Sequence, residues 1–203
     1  MSTKTTQKTR KMVALAMLCA LVIVLQTVSI LIGQLNPIVS FTLALVPIVV
    51  GAVLYGPTAG TVLGAVMGIV VFISVLLGQA GPLSAEMLQL NPVVTCLVCI
   101  LKTAVAGFVS GLLYRIIAKT GKEKLAIIIA AIVCPVINTG IFLATLLTVF
   151  YGVAATFAAG RMLYFIFVII LGINFVLEFI LNSALSPVIV RIIEVVGKKK
   201  ITK

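Results

Sequence analysis

Long apolar runs separated by short polar or basic breaks set the pattern of the chain from position 12 onward. The run 12–32 is long enough to cross the roughly 30 Å hydrocarbon core of a bilayer, and no small-residue cleavage site follows it, so it reads as a helix rather than a signal peptide. A polar break containing Pro37 occupies 33–40. The segment 41–55 predicts a short second span with Pro47 in its middle, where a kink is expected. Gly56-Pro57 turns the chain into a third span, 58–77. Residues 78–91 (GQAGPLSAEMLQLN) are the longest polar segment between the termini and predict an outer loop. Asn91-Pro92 has the signature of an N-cap followed by proline at the first helical position, opening a fourth span over 92–117. The basic loop RIIAKTGKEK covers 115–124, a fifth span with Pro135 inside it covers 125–150, and small residues over 151–160 predict another loop. A sixth span runs from Arg161 to about position 190. The predicted fold is an all-α integral membrane protein of six transmembrane helices, with a basic N-terminus over 1–11, a membrane domain over 12–193 and a basic tail over 194–203.

Composition agrees with the pattern. Hydrophobic residues make up 63 % of the 203 and charged residues 9 %, with a mean hydropathy of +1.37. A soluble domain cannot bury so much apolar surface, whereas a bilayer requires it. Charge sets the topology. The N-terminus, the 115–124 loop and the region from Arg191 onward carry four, four and five of the fifteen basic residues, and the loops between them on the other side carry none before Arg161. By the positive-inside rule both termini of this multi-pass membrane protein are expected to face the cytoplasm. Anionic headgroups and topology account for the net charge of +11, so no nucleic-acid binding is inferred.

Within YGPTAGTVLGAVMGIVVF, positions 55–72, Gly56, Gly60, Gly64 and Gly68 recur every four residues. On a helix that spacing makes one stripe free of side chains, along which another backbone comes close. The stripe serves either tight packing inside the chain or docking of a partner. Ala16 and Ala20 give the first helix a similar smooth pair.

Polar side chains inside hydrocarbon are costly and mark pathways or binding sites. Lys102 and Thr103 lie roughly 15 Å into the fourth helix at 1.5 Å per residue. Asn138 and Thr139 follow Pro135 in the fifth. Asn174, Glu178 and Asn182 share one face of the sixth, and Arg161 stands at its outer end. Lys102 and Glu178, the charges expected at membrane depth, either pair with each other or line a pocket with Asn138 and Asn174. The amides either lock helices together or hold a ligand. Gln34, Asn36, Glu86, Gln89 and Asn91 belong to the outer loops, as ordinary solvated loop or as a lid.

Several chemistries lack their residues. The chain has no His, no Asp and only four Glu, so intramembrane metal hydrolysis and carboxylate-held magnesium have no ligand set. No phosphate-cradling Gly-rich Lys-Ser/Thr loop is present, so the chain does not hydrolyse ATP. Cys96 and Cys99 form a CxxC inside a span and, like Cys19 and Cys134, read as small apolar fillers. Neither enzyme activity, metal nor cofactor is expected.

The six-span layout, Ala16-xxx-Ala20 in an alanine-rich first helix, the short second helix and the turn PIVVGAVLYGPTAGTVLGAVMG over 47–68 together resemble the substrate-binding S components of energy-coupling factor (ECF) vitamin transporters. The resemblance implies a subunit that captures a vitamin or related micronutrient from outside. Its partners would be a transmembrane T component and two cytoplasmic ATPases that power release by toppling the subunit in the membrane. It implies a docking surface at Ala16, Ala20, Gly56, Gly60, Gly64 and Gly68, so that Gly64→Leu weakens assembly and spares ligand binding. It implies a ligand among helices four to six, at Lys102, Asn138, Thr139, Asn174, Glu178 and Arg161, beneath loops carrying Gln34, Asn36 and Glu86. The chain lacks the Trp of thiamine-binding members, and 41–55 lacks the acid of the riboflavin-binding type. The layout is closer to the pantothenate and folate group, and pantothenate, anionic with hydroxyl and amide groups, is the first choice. A small stand-alone carrier or a non-transporting scaffold is the alternative.

Overall fold

The computed structural model describes residues 2–35, 42–165, 176 and 179–180. Among these the chain is helical, in the order α1 (Ser2–Leu35), α2 (Leu45–Tyr55), α3 (Pro57–Leu76), α4 (Pro82–Leu90), α5 (Pro92–Ala118), α6 (Glu123–Thr148), α7 (Tyr151–Ala158) and α8 (Met162–Tyr164). Four segments are long and apolar enough to cross a membrane: Thr9–Gln34, Pro57–Leu76, Pro92–Ala118 and Glu123–Thr148. These match the first, third, fourth and fifth expected spans. Most of the sixth lies outside the described residues.

The second expected span takes a different form. Its helix has 11 residues, about 17 Å at 1.5 Å per residue, which is short of a bilayer core. Bundle neighbours surround it instead. Leu45, Ile48 and Val49 are fully buried and share one core with Val22 of α1, Leu63 and Met67 of α3, Ala106 of α5 and Ala130, Ala131 and Cys134 of α6. Because α2 starts at Leu45, Pro47 falls in its first turn. No intrahelical partner exists for a backbone N–H there, so the proline costs no hydrogen bond and makes no central kink.

The α3–α5 contact is the closest in the bundle. The two helices run antiparallel, with Gly60 against Gly107, Gly64 against Thr103 and Ala104, and Gly68 against Cys99 and Ile100. Side chains at Gly60 or Gly64 would collide with backbone carbonyls of α5. The stripe is therefore filled from inside the chain, by a matching stripe on α5 in which Cys99, Thr103, Gly107 and Gly111 also recur every four residues. Thr103, fully buried, donates its hydroxyl hydrogen to carbonyl oxygens of both helices, its bond to Gly64 O being the one that crosses between them. Gly56 does something else. At φ +95° it makes the α2–α3 turn, a conformation costly to residues with a Cβ.

Two segments expected as loops are helices. In 78–91, Pro82 at the first turn starts α4, and Leu83 and Met87, one turn apart, form its apolar face. In 151–160, α7 forms with Val153, Ala154 and Ala158 on its buried face, and it ends at Ala159 and Gly160 in left-handed conformations. Met87, Leu146, Phe150, Val153, Ala154, Ala158 and Phe165 make a second core that ties α4 and α7 across one end of the bundle. Asn91 caps α5 as its sequence predicts, accepting from Val94 N–H at 3.1 Å. Thr95 at the next turn donates to Met87 O at 2.9 Å and fastens α4 to α5.

Candidate functional site

Lys102 and Asn138 lie at the same depth near the middle of the α5–α6 pair. Lys102 is ten residues from Pro92 and Asn138 ten residues from Thr148, so both lie about 15 Å from the end that α4 and α7 cover. Phe142 joins them. It stands four residues after Asn138, on the same face of α6 one turn nearer that end. The ammonium of Lys102 lies 4.9 Å from the centre of its ring. Lysine side chains lean toward the N-terminus of their helix, which for α5 is the same end, so stem direction and ring position agree.

Asn138 is only 7 % exposed, and among the described residues its side-chain oxygen has no hydrogen-bond partner. Leaving a buried amide group unpaired costs about 1–3 kcal/mol. Lys102 is half-buried, and among the described residues no carboxylate forms an ion pair with it. A cation facing a ring, and an amide oxygen unpartnered among the described residues one turn from that ring, together suit a ligand with an anionic group and hydrogen-bonding groups beside it.

The other expected residues distribute as follows. Thr139 is half-buried next to Asn138, turned about 100° around α6. Glu86 is half-buried on α4, over the end of the bundle. Arg161 is exposed at the α7–α8 junction at the same end. Gln34 is exposed at the last turn of α1. Asn36, Asn174, Glu178 and Asn182 lie outside the described residues, so the expected Lys102–Glu178 pair does too. Of the residues expected to dock, Ala16 and Ala20 are exposed on α1 and Gly56 is half-exposed at its turn, while Gly60, Gly64 and Gly68 are buried against α5. Gly64→Leu therefore strikes the bundle itself, and the expectation that it spares ligand binding does not survive this geometry.

Sequence reasoning passes over two residues here. Phe142 is one of ten phenylalanines and nothing local marks it. Gln26 in α1 is within its reach, because the rule that singles out Asn138 applies to any amide in an apolar run. Gln26 is 6 % exposed with an unpartnered side-chain oxygen. One turn on, Ser29 is satisfied, donating to Leu25 O and accepting from Leu43 N–H.

Among the described residues no three His, Cys, Asp or Glu side chains form a group able to hold a metal ion. A family model described as the substrate-specific component of ECF transporters matches residues 10–190. No curated protein and no solved structure matches the chain. Proteins of the matched family are transport subunits of membranes, not enzymes. With helices of bilayer length and a family match running from the first span to position 190, the chain belongs to the family of ECF transporter substrate-specific components.

Proposed function

We propose that this protein is the membrane-embedded capture subunit of an ECF-type importer for a vitamin or related micronutrient, with pantothenate the first candidate. It binds its ligand from outside and delivers it by toppling in complex with a T component and two ATPases. Six spans with both termini in the cytoplasm put α4, α7 and the mouth of the site on the outer side, and the 115–124 loop among anionic headgroups within.

The observation that carries the reading is that one face of α6 carries both the side-chain oxygen of Asn138, unpartnered among the described residues, and the Phe142 ring that meets the ammonium of Lys102. A structural amide would be satisfied within the chain, and a structural lysine would be paired. A carboxylate ligand neutralises Lys102, and its hydroxyl or amide groups satisfy Asn138. Arg161 and Glu86, at the covered end, are placed to meet ligand as it enters, and Thr139, Gln34, Asn36, Asn174 and Glu178 complete the proposed lining. Docking falls to the exposed face of α1 at Ala16 and Ala20, with Gly56 at the turn; Gly60, Gly64 and Gly68 support it by holding α3 against α5.

The test is mass spectrometry of the small molecule that co-purifies with the chain expressed alone, followed by a thermal-shift panel of vitamins. Bound pantothenate or another vitamin supports capture and names the ligand. An empty protein that no vitamin stabilises overturns it in favour of a stand-alone carrier or scaffold.

A further inference from the structure

Phe142 is not a bystander to Lys102. Phe142, half-buried, packs against the core that ties α4 and α7 to the bundle. The ring is thereby held in place and presents a face to the ammonium 4.9 Å away. A lysine has four rotatable side-chain bonds and, unheld, samples many positions. An aromatic face attracts the cation through its quadrupole without neutralising it. The ammonium is thus fixed in direction and still available to an anion.

We infer that Phe142 is the positioning residue for Lys102, and that it sets the preference of the site for an anionic ligand over a neutral one of the same shape. This rests on the capture reading above. The ring and the incoming carboxylate share the ammonium: Phe142 aims it, and the carboxylate then supplies the stronger, charge-assisted bond. Asn138, one turn along α6, reads the groups beside the carboxylate. It does so whether or not the ligand is charged, so its contribution is common to both kinds of ligand.

The experiment has two arms on the purified full chain. The first measures binding of pantothenate and of panthenol, its uncharged alcohol analogue, to wild type, Phe142→Leu, Phe142→Tyr and Lys102→Met. The expected result is that wild type prefers pantothenate, Phe142→Leu loses about fivefold of that preference with panthenol affinity unchanged, Phe142→Tyr retains it, and Lys102→Met abolishes it; a fivefold loss lies within the range of a single cation–π contact. If Phe142→Leu weakens both probes equally, Phe142 only fills space and the inference falls. The second arm needs no ligand. Acetic anhydride labels the lysines, and the rate at Lys102 is read by peptide mass spectrometry against Lys119 and Lys122 in the same sample. Several-fold faster labelling of Lys102 in Phe142→Leu, with Phe142→Tyr like wild type, supports the ring as the holder. An unchanged rate overturns it. Should wild type bind neither probe, the choice of pantothenate fails, and the labelling arm alone decides the role of Phe142.

Discussion

The hydroxyl of Thr103 on α5 donates to the carbonyl oxygen of Gly64 on α3 across 2.6 Å, and this bond exists only because Gly64 has no side chain. Thr103→Val keeps the shape and removes the donor. Hydrogen bonds between membrane helices average about 0.6 kcal/mol, with a maximum near 1.7. The variant is expected to unfold a few degrees lower in a detergent melt while binding ligand normally. A loss far beyond that range would assign Thr103 a role other than this bond.

Gly64→Ala tests the close approach. The new Cβ meets the Thr103 carbonyl and the Ala104 backbone, which cannot rotate away as a flexible side chain can. Overpacking of this kind costs about 1–3 kcal/mol, and Gly64→Leu costs more. Melts of the isolated chain are expected to fall in the order wild type, Ala, Leu, with ligand binding lost alongside folding. Gly140→Ala on α6, where nothing among the described residues lies within 4 Å of the added atom, is the control expected to melt like wild type or slightly higher, alanine being the better helix former.

Asn138→Leu separates ligand chemistry from scaffold. Its side-chain oxygen has no partner to lose, so the ligand-free melt should hold or rise by about 1 kcal/mol of stability as an unsatisfied group leaves. Co-purifying ligand should disappear. A lower ligand-free melt with binding intact would make Asn138 structural.

Lys102→Ala is expected to cost about 1.5–3 kcal/mol of affinity for a carboxylate ligand, the worth of a charge-assisted bond, or roughly 10- to 150-fold in Kd. Isothermal titration against pantothenate, or against whichever anionic vitamin co-purifies, reads it directly. Wild-type affinity would detach Lys102 from the site.

Ala16→Leu and Ala20→Leu enlarge an exposed face of α1. The melt of the isolated chain should change little, because both side chains are exposed in the structure. Recovery of the T component in a pull-down should fall severalfold. Full recovery would move docking away from this face.

The same residues mark where sequence reading reaches and where it stops. Four of the six expected apolar spans, the Asn91-Pro92 helix start and the glycine register are local properties, and these are found in the structure in their places. The effect of Pro47 is not local, because it depends on where α2 begins, and α2 is short because neighbours rather than lipid surround it. The segments holding α4 and α7 are too short and too polar or too small-residued to announce themselves. They are helices because Met87, Phe150 and Val153 bury against one another, a contact between positions more than sixty residues apart.

By itself the sequence determined that this chain belongs in a membrane, that four of its segments are long and apolar enough to cross one, and which polar residues hydrocarbon makes expensive, because hydropathy and helical period act within one segment. Only the tertiary structure decided whose backbone fills the glycine stripe and which ring Lys102 meets. A four-residue repeat states that something comes close, and a cation at membrane depth states that something must face it. The identity of the neighbour is a property of two helices brought together, and Gly107 and Phe142 acquire their meaning only there.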